Sequence, residues 1–216
     1  MANPVHGTGN GGIGVHGTSN SNFGVHGRCF GNNTGVVGES AGGTGVHAQS
    51  NTGIGLFARS PRLAGRFEGV VEVTGDVRLT GADCAEEFDV SEAEAAEPGT
   101  VMVIDQEGTL KPSEQPYDKR VAGVVFGGEG YKPGIILDKQ KIEADRIPVA
   151  LMGRVACKVD AGSSPIEVGD LLTTSFTPGH AMKANDALEA FGAVLGKALR
   201  PLEQGQGMVP ILVALQ

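Results

Sequence analysis

The chain has 216 residues, a formal net charge of −8, 35 glycines and no tryptophan. Because phosphate binding is mainly a cationic effect, this acidity argues against a nucleic-acid partner or an anionic membrane surface. No apolar run approaches the ~18–20 residues that span a bilayer, and the N-terminus lacks the basic and apolar segment of a secretory signal, so we expect neither membrane insertion nor a signal peptide.

A short motif recurs through residues 1–60, in steps of ten, ten, eleven, ten and ten residues. It consists of a branched aliphatic residue, a variable residue, and then a glycine or an alanine. Glycine precedes the aliphatic residue in every copy except the first, where Pro4 does. Self-similarity at fixed spacing indicates one structural unit stacked on itself. The six copies are Val5-His6-Gly7, Val15-His16-Gly17, Val25-His26-Gly27, Val36-Val37-Gly38, Val46-His47-Ala48 and Leu56-Phe57-Ala58.

Each unit is predicted to be a very short strand followed by a turn. Glycine this frequent disfavours a helix, since each interior glycine costs roughly 0.8–1 kcal/mol relative to alanine. Residues two apart in a strand share a face, so the aliphatic column and the residues two before it form one apolar stripe, and the histidine column faces the other way. The predicted inward residues are Ile13, Val15, Phe23, Val25, Val36, Val46, Ile54 and Leu56.

So few inward side chains do not form a core in one short strand, and repeat arrays solve this by sharing a core between units. Two arrangements are open: a single-chain β-helix of about two coils, or a trimer in which every chain contributes a strand to each level. We prefer the trimer, because it triples the interior formed by the same sequence.

The ten-residue period stops at Ser60-Pro61-Arg62, and a six-residue rhythm of strand and tight turn follows. We interpret residues 61–81 as a β neck and residues 82–99 as an acidic junction. Ser91 and Glu94 have the spacing of a capping box, which predicts a short helix that ends at Pro98-Gly99.

Residues 100–216 are predicted to form a β-rich C-terminal domain with little helix. Short apolar runs separated by turn residues are typical of a small barrel or a clip-like β domain. The predicted strands lie in 101–104, 121–125, 149–152, 155–159, 194–199 and 209–215, and residues 166–172 are predicted to lead through a turn into a strand. The predicted fold class is therefore all-β: a trimeric, intertwined β-helix shaft followed by a small β-barrel or clip-like domain.

One stretch of the C-terminal half resembles a known family. The residues that carry the resemblance are Gly81-Ala82-Asp83, Ala85-Glu86, Phe88-Asp89, Pro98-Gly99-Thr100-Val101 and Val121-Ala122-Gly123-Val124-Val125. They resemble the intramolecular-chaperone domain, which has autoproteolytic activity, of tailed-phage neck-appendage and tail-spike proteins. Bacterial proteins that carry this domain after Gly-Val-x-Gly repeats are similar along nearly the whole chain. The resemblance implies a trimeric fibre or spike whose distal domain assists trimer assembly.

The same resemblance implies a cleavage position, before an acidic residue and after a serine. The matching bond is Ala85-Glu86, where alanine stands in place of the serine nucleophile. We therefore expect no enzymatic activity, with self-cleavage through Ala85, Glu86 and Asp89 as the alternative, since crowded carboxylates favour acid/base chemistry. Otherwise these acids are expected to be solvated or to pair with Arg78, Lys119 or Arg120.

The histidine column is the candidate metal site. In a trimer His16 and His26 could each form a ring of three imidazoles, which is a donor set for transition metals. We predict no metal, because the column faces the outer wall, and no cofactor, because no phosphate loop or nucleophile elbow is present. The three cysteines have no CxxC pattern and are expected to be free thiols.

The sequence as a whole predicts a non-enzymatic structural protein, similar to a phage tail fibre, that forms a homotrimer. Its predicted location is extracellular or on a virion-like particle, with other particle proteins or a cell-surface glycan as partners. The alternatives are a self-cleaving intramolecular chaperone and a glycan-binding or glycan-cleaving spike. The outward side chains His16, His26, Arg28, Phe30, His47 and Phe57 are the candidate glycan ladder.

Overall fold

A computed structural model describes residues 13, 15–79, 83–130, 133–139 and 146–214. The chain divides into two units, Met1–Glu72 and Val73–Gln216. The first copy of the repeat, Val5-His6-Gly7, and the end of the predicted neck at residues 80–81 lie outside the described residues.

The first unit repeats in its backbone as it does in its sequence. Bends recur at residues 20–22, 30–33, 41–43 and 51–53, one in each repeat. Residues 15–79 contain neither a helix nor a strand, and every one of them is exposed. The strands predicted for the repeat and the neck are therefore not formed within one chain, and strand pairing between chains stays a prediction.

The described residues of the second unit are all-β, as predicted, apart from one short helix, α1 (Ala187–Ala190), and two 3-10 turns, Ala93–Ala95 and Gly128–Gly130. Its strands are β1 (Cys84–Asp89), β2 (Val101–Ile104), β3 (Leu110–Pro112), β4 (Val121–Val125), β5 (Ile135–Leu137), β6 (Arg146–Asp160), β7 (Leu171–Thr174), β8 (Ala181–Lys183), β9 (Val194–Ala198) and β10 (Gln206–Ala214).

Five of these strands close into a barrel, in the order β6, β10, β9, β7 and β8. The ring closes where β8 meets β6 in parallel, at Val159 and Ala181. The barrel core consists of branched aliphatic and small residues, among them the fully buried Leu172, Leu195 and Ile211. The predicted small barrel is thus confirmed, and it is formed by the C-terminal part of the chain.

The long strand β6 joins the barrel to the rest of the sheet. Its first half pairs with β1 on one edge and with β4 on the other, and β2 and β3 continue the sheet beyond β4. A second, smaller core lies here, formed by Val90, Ala96, Met102, Leu110, Val125 and Val149. The two strands predicted for 149–152 and 155–159 are one strand, which continues through Gly153 at a positive φ of 96°.

The predicted capping box at Ser91 is wrong. The 3-10 turn begins only after Glu92, and no side chain caps it. The Ser91 hydroxyl and backbone N–H both turn to the Leu110 carbonyl, 19 residues away. Tertiary pairing with the end of β3 therefore outcompetes the local cap. Helix α1 begins instead after Asp186, whose carboxylate accepts hydrogen bonds from the N–H groups of Leu188 and Glu189.

Two of the three free cysteines differ sharply in environment. Cys157 is fully buried in β6, and burial raises the pKa of its thiol far above the usual range. Cys29 is exposed in the repeat region. Cys157 is therefore a core residue without thiolate chemistry at neutral pH.

We predict that Asp118→Asn makes the second unit less stable and flattens its response to acid. Asp118 is buried, accepts a two-pronged hydrogen bond from Arg120 at 3.0 and 2.6 Å, and accepts another from Gln115 at 3.1 Å. The Arg120 guanidinium lowers the pKa of this carboxyl. The stability that this pair contributes is therefore fully present above the unfolded-state pKa of about 3.9. It is lost as the pH falls through the lower pKa of the folded state.

The measurement is urea unfolding followed by tyrosine fluorescence. At pH 7 we expect a deficit of about 1.5–3 kcal/mol for Asp118→Asn. The deficit should persist to about pH 5 and shrink below about pH 4. A deficit that grows as the pH falls would contradict the assigned role of the Arg120 pair.

Candidate functional site

The repeat region folds each unit around a crowded corner. We call a corner the segment between the small residue that ends one motif and the glycine that precedes the next: Gly17–Gly24, Gly27–Gly35, Gly38–Gly45 and Ala48–Gly55. The two ends of a corner touch, since a Cβ added to Gly45 would lie 2.9 Å from the Gly38 carbonyl oxygen and one added to Gly24 would lie 2.7 Å from that of Gly17. The recurring glycines are thus required by close backbone approach.

Whether a corner starts with glycine or with alanine depends on the aliphatic residue of the next motif. A Cβ on Gly38 would lie 2.5 Å from Cγ2 of Val46, and one on Gly17 would lie 2.6 Å from Cγ2 of Val25. Alanine first occurs there at Ala48, where the next aliphatic residue is Leu56, which has no β-branch. The γ-methyl of valine therefore occupies the place of the missing side chain.

Serine hydroxyls close most of the corners from inside. Ser40 Oγ accepts a hydrogen bond from Gly43 N–H at 3.0 Å, and Ser50 Oγ accepts one from Gly53 N–H at 2.9 Å. Ser19 and Ser60, at the same place in their repeats, accept from backbone N–H groups two and three residues on. These local turns specify the bend without help from a core.

The corner Gly27–Gly35 departs from this pattern. It is one residue longer than the others, and Cys29 replaces the serine. Its bulkiest side chains pair with each other, with the Arg28 guanidinium 4.3 Å from the centre of the Phe30 ring. The ends still meet, because a Cβ on Gly27 would lie 2.7 Å from the Gly35 carbonyl oxygen.

We predict that Gly38→Ala destabilises the repeat region and that Gly42→Ala does not. A methyl group at position 38 collides with Val46 and with the Gly45 carbonyl, whereas nothing lies within 4 Å of a Cβ at position 42 of the same corner. Overpacking of this kind typically costs about 1–3 kcal/mol. Thermal unfolding followed by circular dichroism measures the difference. Equal melting temperatures for the two variants would show that the crowding does not exist in solution.

The predicted core residues of the repeat region are all exposed in the single chain. Val46 is 66% exposed, and Ile13 is the most exposed at 78%. The remaining members, Val15, Phe23, Val25, Val36, Ile54 and Leu56, lie between these values. One chain alone thus leaves the whole apolar column open to contact.

One histidine of the variable column contacts a residue of the apolar stripe. The rings of Phe23 and His26 stack with their centres 5.1 Å apart, so the expectation that the two columns face opposite ways is wrong at this level. His16, His26 and His47 are exposed. Among the described residues, no group of three histidine, cysteine or acidic side chains is placed to hold a metal ion. A metal on His16 or His26 stays an untested alternative.

The candidate cleavage segment lies inside the sheet rather than in a loop. Ala85 and Glu86 belong to β1, which pairs with β5 in parallel and with β6 in antiparallel fashion. Ala85 is fully buried, opposite Ile136 and Ala150. The sequence did not reveal this strand, because three acidic residues interrupt its apolar alternation.

Two of the three carboxylates of β1, those of Glu87 and Asp89, form ion pairs with bases from neighbouring segments. Glu87 forms an ion pair with Lys139 at 3.3 Å, and Asp89 forms one with Arg146 at 3.4 Å. Arg146 also pairs with Asp138 at 2.6 Å and donates to the Glu87 carbonyl. The expected partner Arg120 is instead bound to Asp118, so that part of the expectation is wrong. This arrangement supports a structural role for the acidic segment.

Asp83 fastens the start of the second unit to β6. Its Oδ1 accepts a hydrogen bond from Arg154 N–H at 2.9 Å, and its carbonyl accepts from Gly134 N–H at 2.9 Å. A side chain at Gly153 would strike the Asp83 carboxylate, so only glycine fits there. The sequence pattern quoted for the resemblance contains Asp83, but its partner Gly153 carried no recognisable signal.

Comparison with known proteins gives weak structural likenesses. The C-terminal fragment of bacteriophage phi29 gene product 12 has a TM-score of 0.42 and 14% identity, over 61% of this chain and 100% of that chain. The N base of the phi29 head fibre gp8.5 has a TM-score of 0.32 and 15% identity, over 62% of this chain and 90% of that chain. Pre-mature phi29 gene product 12 has a TM-score of 0.38 and 16% identity, and the match covers 71% of this chain but 24% of that one.

No family model matches the chain, and no curated protein matches it. At TM-scores of 0.42, 0.32 and 0.38, these likenesses are too weak to assign a fold family or a role to this chain. In the part of the chain that the structure describes, no helix is long and apolar enough to cross a membrane.

Proposed function

We propose that this chain is a structural subunit of a homotrimeric fibre or spike, similar to a phage tail fibre and located on the outside of a particle or cell. The carrying observation is the contrast within the first unit. Its backbone repeats regularly, yet the aliphatic residue of every described repeat is at least 66% exposed in one chain. We therefore expect partner chains to bury this apolar column, which is exposed in one chain.

A single-chain β-helix is the arrangement that this observation disfavours. Such a helix buries its aliphatic column by stacking one unit on the next within the chain. The described residues 15–79 contain no strand, so no such stack forms. Three chains around a common axis would bury the same column, at roughly 1.5–3 kcal/mol for each fully buried aliphatic side chain.

The second unit has the properties of an assembly domain in this proposal. Repeats of nearly identical sequence slip past one another by one unit at small cost, because each unit offers the next chain the same contacts. In this proposal the barrel, which has its own core, fixes one end of the chain. Asp83 and Gly153 hold the chain to β6 where it enters the domain, so this end is in a defined position.

We further propose that the chain is not an enzyme. The Ala85-Glu86 bond is paired on both sides within the sheet, and position 85 has no hydroxyl. The self-cleaving alternative predicts two fragments after purification and incubation. Intact-mass measurement of the incubated protein should therefore give a single species of 22.1 kDa.

The deciding experiment for the trimer is the mass in solution by light scattering on the full chain. We expect three times the chain mass of 22.1 kDa. A mass of 22.1 kDa at micromolar concentration would contradict the proposal and would favour the single-chain arrangement.

A further inference from the structure

We propose that helix α1 of one chain docks on the outer face of the barrel of a second copy of this chain. The number of copies comes from the fibre proposal, on which this inference rests. Two sets of exposed side chains in the second unit form the contact. They are the α1 knob (Leu188, Glu189 and Phe191) and the barrel row (Leu171, Lys197, Leu212 and Arg154).

The α1 knob exposes the large apolar side chains that a short helix on a barrel ordinarily buries. Ala190 packs inward and is 5% exposed, whereas Leu188 is 89% exposed and Phe191 is 81% exposed. These are the two highest values for large apolar side chains in the described part of the second unit, which has two cores of its own. A leucine and a phenylalanine turned outward together on a packed domain indicate a contact surface.

The knob is held in position by its own chain. The Tyr117 hydroxyl accepts hydrogen bonds from Asn185 N–H and Asp186 N–H, each at 3.1 Å. The Asp186 carboxylate is engaged in the helix cap, whereas Glu189 forms no ion pair among the described residues. The knob therefore presents a free carboxylate between two apolar side chains, and it loses little conformational entropy on docking.

The barrel row crosses four adjacent strands at one level. Leu171 on β7 is in register with Lys197 on β9. On the other side of Lys197 lies Leu212 of β10, and beyond it lies Arg154 of β6. Directly paired side chains lie on the same face of a sheet, with Cβ atoms about 4.5–5.5 Å apart. All four are exposed while Ile211, next to Leu212, is buried, so the row lies on the outside of the barrel.

The chemistry of the row complements that of the knob. Leu171 and Leu212 are 40% and 41% exposed at outward positions, where a solvated sheet face ordinarily has polar residues. Lys197 and Arg154 lie on either side of Leu212 and form no ion pair among the described residues. Two unpaired cations beside exposed leucines on a chain of net charge −8 select a partner that is both apolar and acidic.

Docking places Leu188 and Phe191 of one copy against the leucines of the row on the next copy. Glu189 then lies beside Lys197, the cation between those leucines. The knob and the row are different surfaces, so each copy gives its knob to one neighbour and receives a knob from the other. Such a head-to-tail contact closes into a ring in a trimer.

The test is dilution of the full-length protein, with its mass followed by light scattering. Phe191→Ser is expected to raise the concentration at which half of the assembled protein dissociates by about tenfold or more, because aromatic anchors dominate interface energies. The matched control is Phe176→Ser, since Phe176 lies in the same unit, is 72% exposed and belongs to neither surface. The control should dissociate like the unmodified protein.

Exchange of charges tests the direct contact. Glu189→Lys and Lys197→Glu each bring like charges together and should each weaken assembly by about fivefold or more, whereas the double variant should return to within about twofold of the unmodified protein. The inference is overturned if the double variant is no stronger than the single variants, or if Phe176→Ser weakens assembly as much as Phe191→Ser. Should urea unfolding show that Phe191→Ser damages the second unit, the charge exchange decides.

Failure of this inference and failure of the fibre proposal give different results. If the unmodified protein has three times the chain mass and neither Phe191→Ser nor the charge variants shift its dissociation, the trimer stands and the α1 contact is wrong. If assembly responds to these variants as expected but its mass is not three times that of the chain, the contact stands and the trimer is wrong. A single chain at micromolar concentration overturns both.

Discussion

Val36→Asp is expected to dissociate the protein into single chains, whereas Val37→Asp is expected to leave the trimer intact. The two valines are adjacent and equally open in one chain, at 68% and 66% exposure. Val36 belongs to the aliphatic column, and Val37 holds the variable position beside it. In the proposed trimer Val36 is buried between chains and Val37 is not, so the solution mass of the pair tests the shared core; within one chain, Cγ2 of Val36 also lies against Gly27.

The size of the effect follows from the symmetry. In the proposed trimer three aspartates would meet at one level of the axis, each with a desolvation penalty of several kcal/mol and with repulsion from the other two. At position 37 the same charge remains in water, where surface substitutions usually change stability by about 0.5 kcal/mol or less. Light scattering should therefore give 22.1 kDa for Val36→Asp and three times that mass for Val37→Asp.

The pair also controls for general effects of the substitution. Loss of helix or strand propensity, added negative charge and altered solubility are the same at both positions. If both variants dissociate, the column assignment is wrong. If neither does, the repeat aliphatics do not form the interface, and another part of the chain must hold any oligomer together.

The sequence predicted the second unit well because its apolar runs are long. The strands at 101–104, 121–125, 155–159, 194–199 and 209–215 all correspond to strands in the structure, and so does the small barrel. Such runs have few competing uses, since they must be buried in a sheet. Closure of the ring through β8 was not visible, because Ala181–Lys183 is only three residues long.

Local polar signals were less reliable. Ser91 and Glu94 match a helix cap in spacing, but the serine bonds to Leu110 instead. Asp186, which does cap a helix, precedes only four helical residues and was not recognised. The difference depends on which backbone groups the sheet leaves unpaired, and a local pattern contains no information about that.

In the repeat region, by contrast, the local turn signals were reliable. Its period and its turns were readable, and the bends recur where the turn residues are. The contact between the corner glycine and the γ-methyl group of the next valine was not predicted. Its trace in the sequence is Ala48, which stands in place of glycine where the next aliphatic residue is Leu56. The proposed interface between chains could not be derived, because identical chains add no new residue types to the pattern.

Gly123→Ala is expected to prevent stable folding of the second unit, whereas Gly127→Ala is expected to weaken it only moderately. Both glycines adopt a positive φ, of 153° and 122°, so both substitutions incur a backbone strain of about 1–3 kcal/mol. They differ in their surroundings. A Cβ at position 123 strikes the Ala150 carbonyl and lies 2.7 Å from Val149 Cγ1, whereas the nearest atom to one at position 127 is Pro98 Cγ at 3.6 Å.

The extra cost at Gly123 arises from the sheet itself. Strand β4 is in register with β6 through Val124 and Ala150, and through Val125 and Val149, so the two strands cannot move apart without losing their hydrogen bonds. We expect the total loss for Gly123→Ala to exceed about 4 kcal/mol, which is a large fraction of the stability of a typical domain.

Urea unfolding followed by tyrosine fluorescence measures this difference, because Tyr117 lies in the second unit and the sequence has no tyrosine before it. The Gly127→Ala variant should unfold cooperatively at a lower urea concentration than the unmodified chain. The Gly123→Ala variant should show no folded baseline at all. If the two midpoints coincide, then the close approach of β4 to β6 contributes nothing, and the glycine in Val121-Ala122-Gly123-Val124-Val125 is required only for its backbone angle.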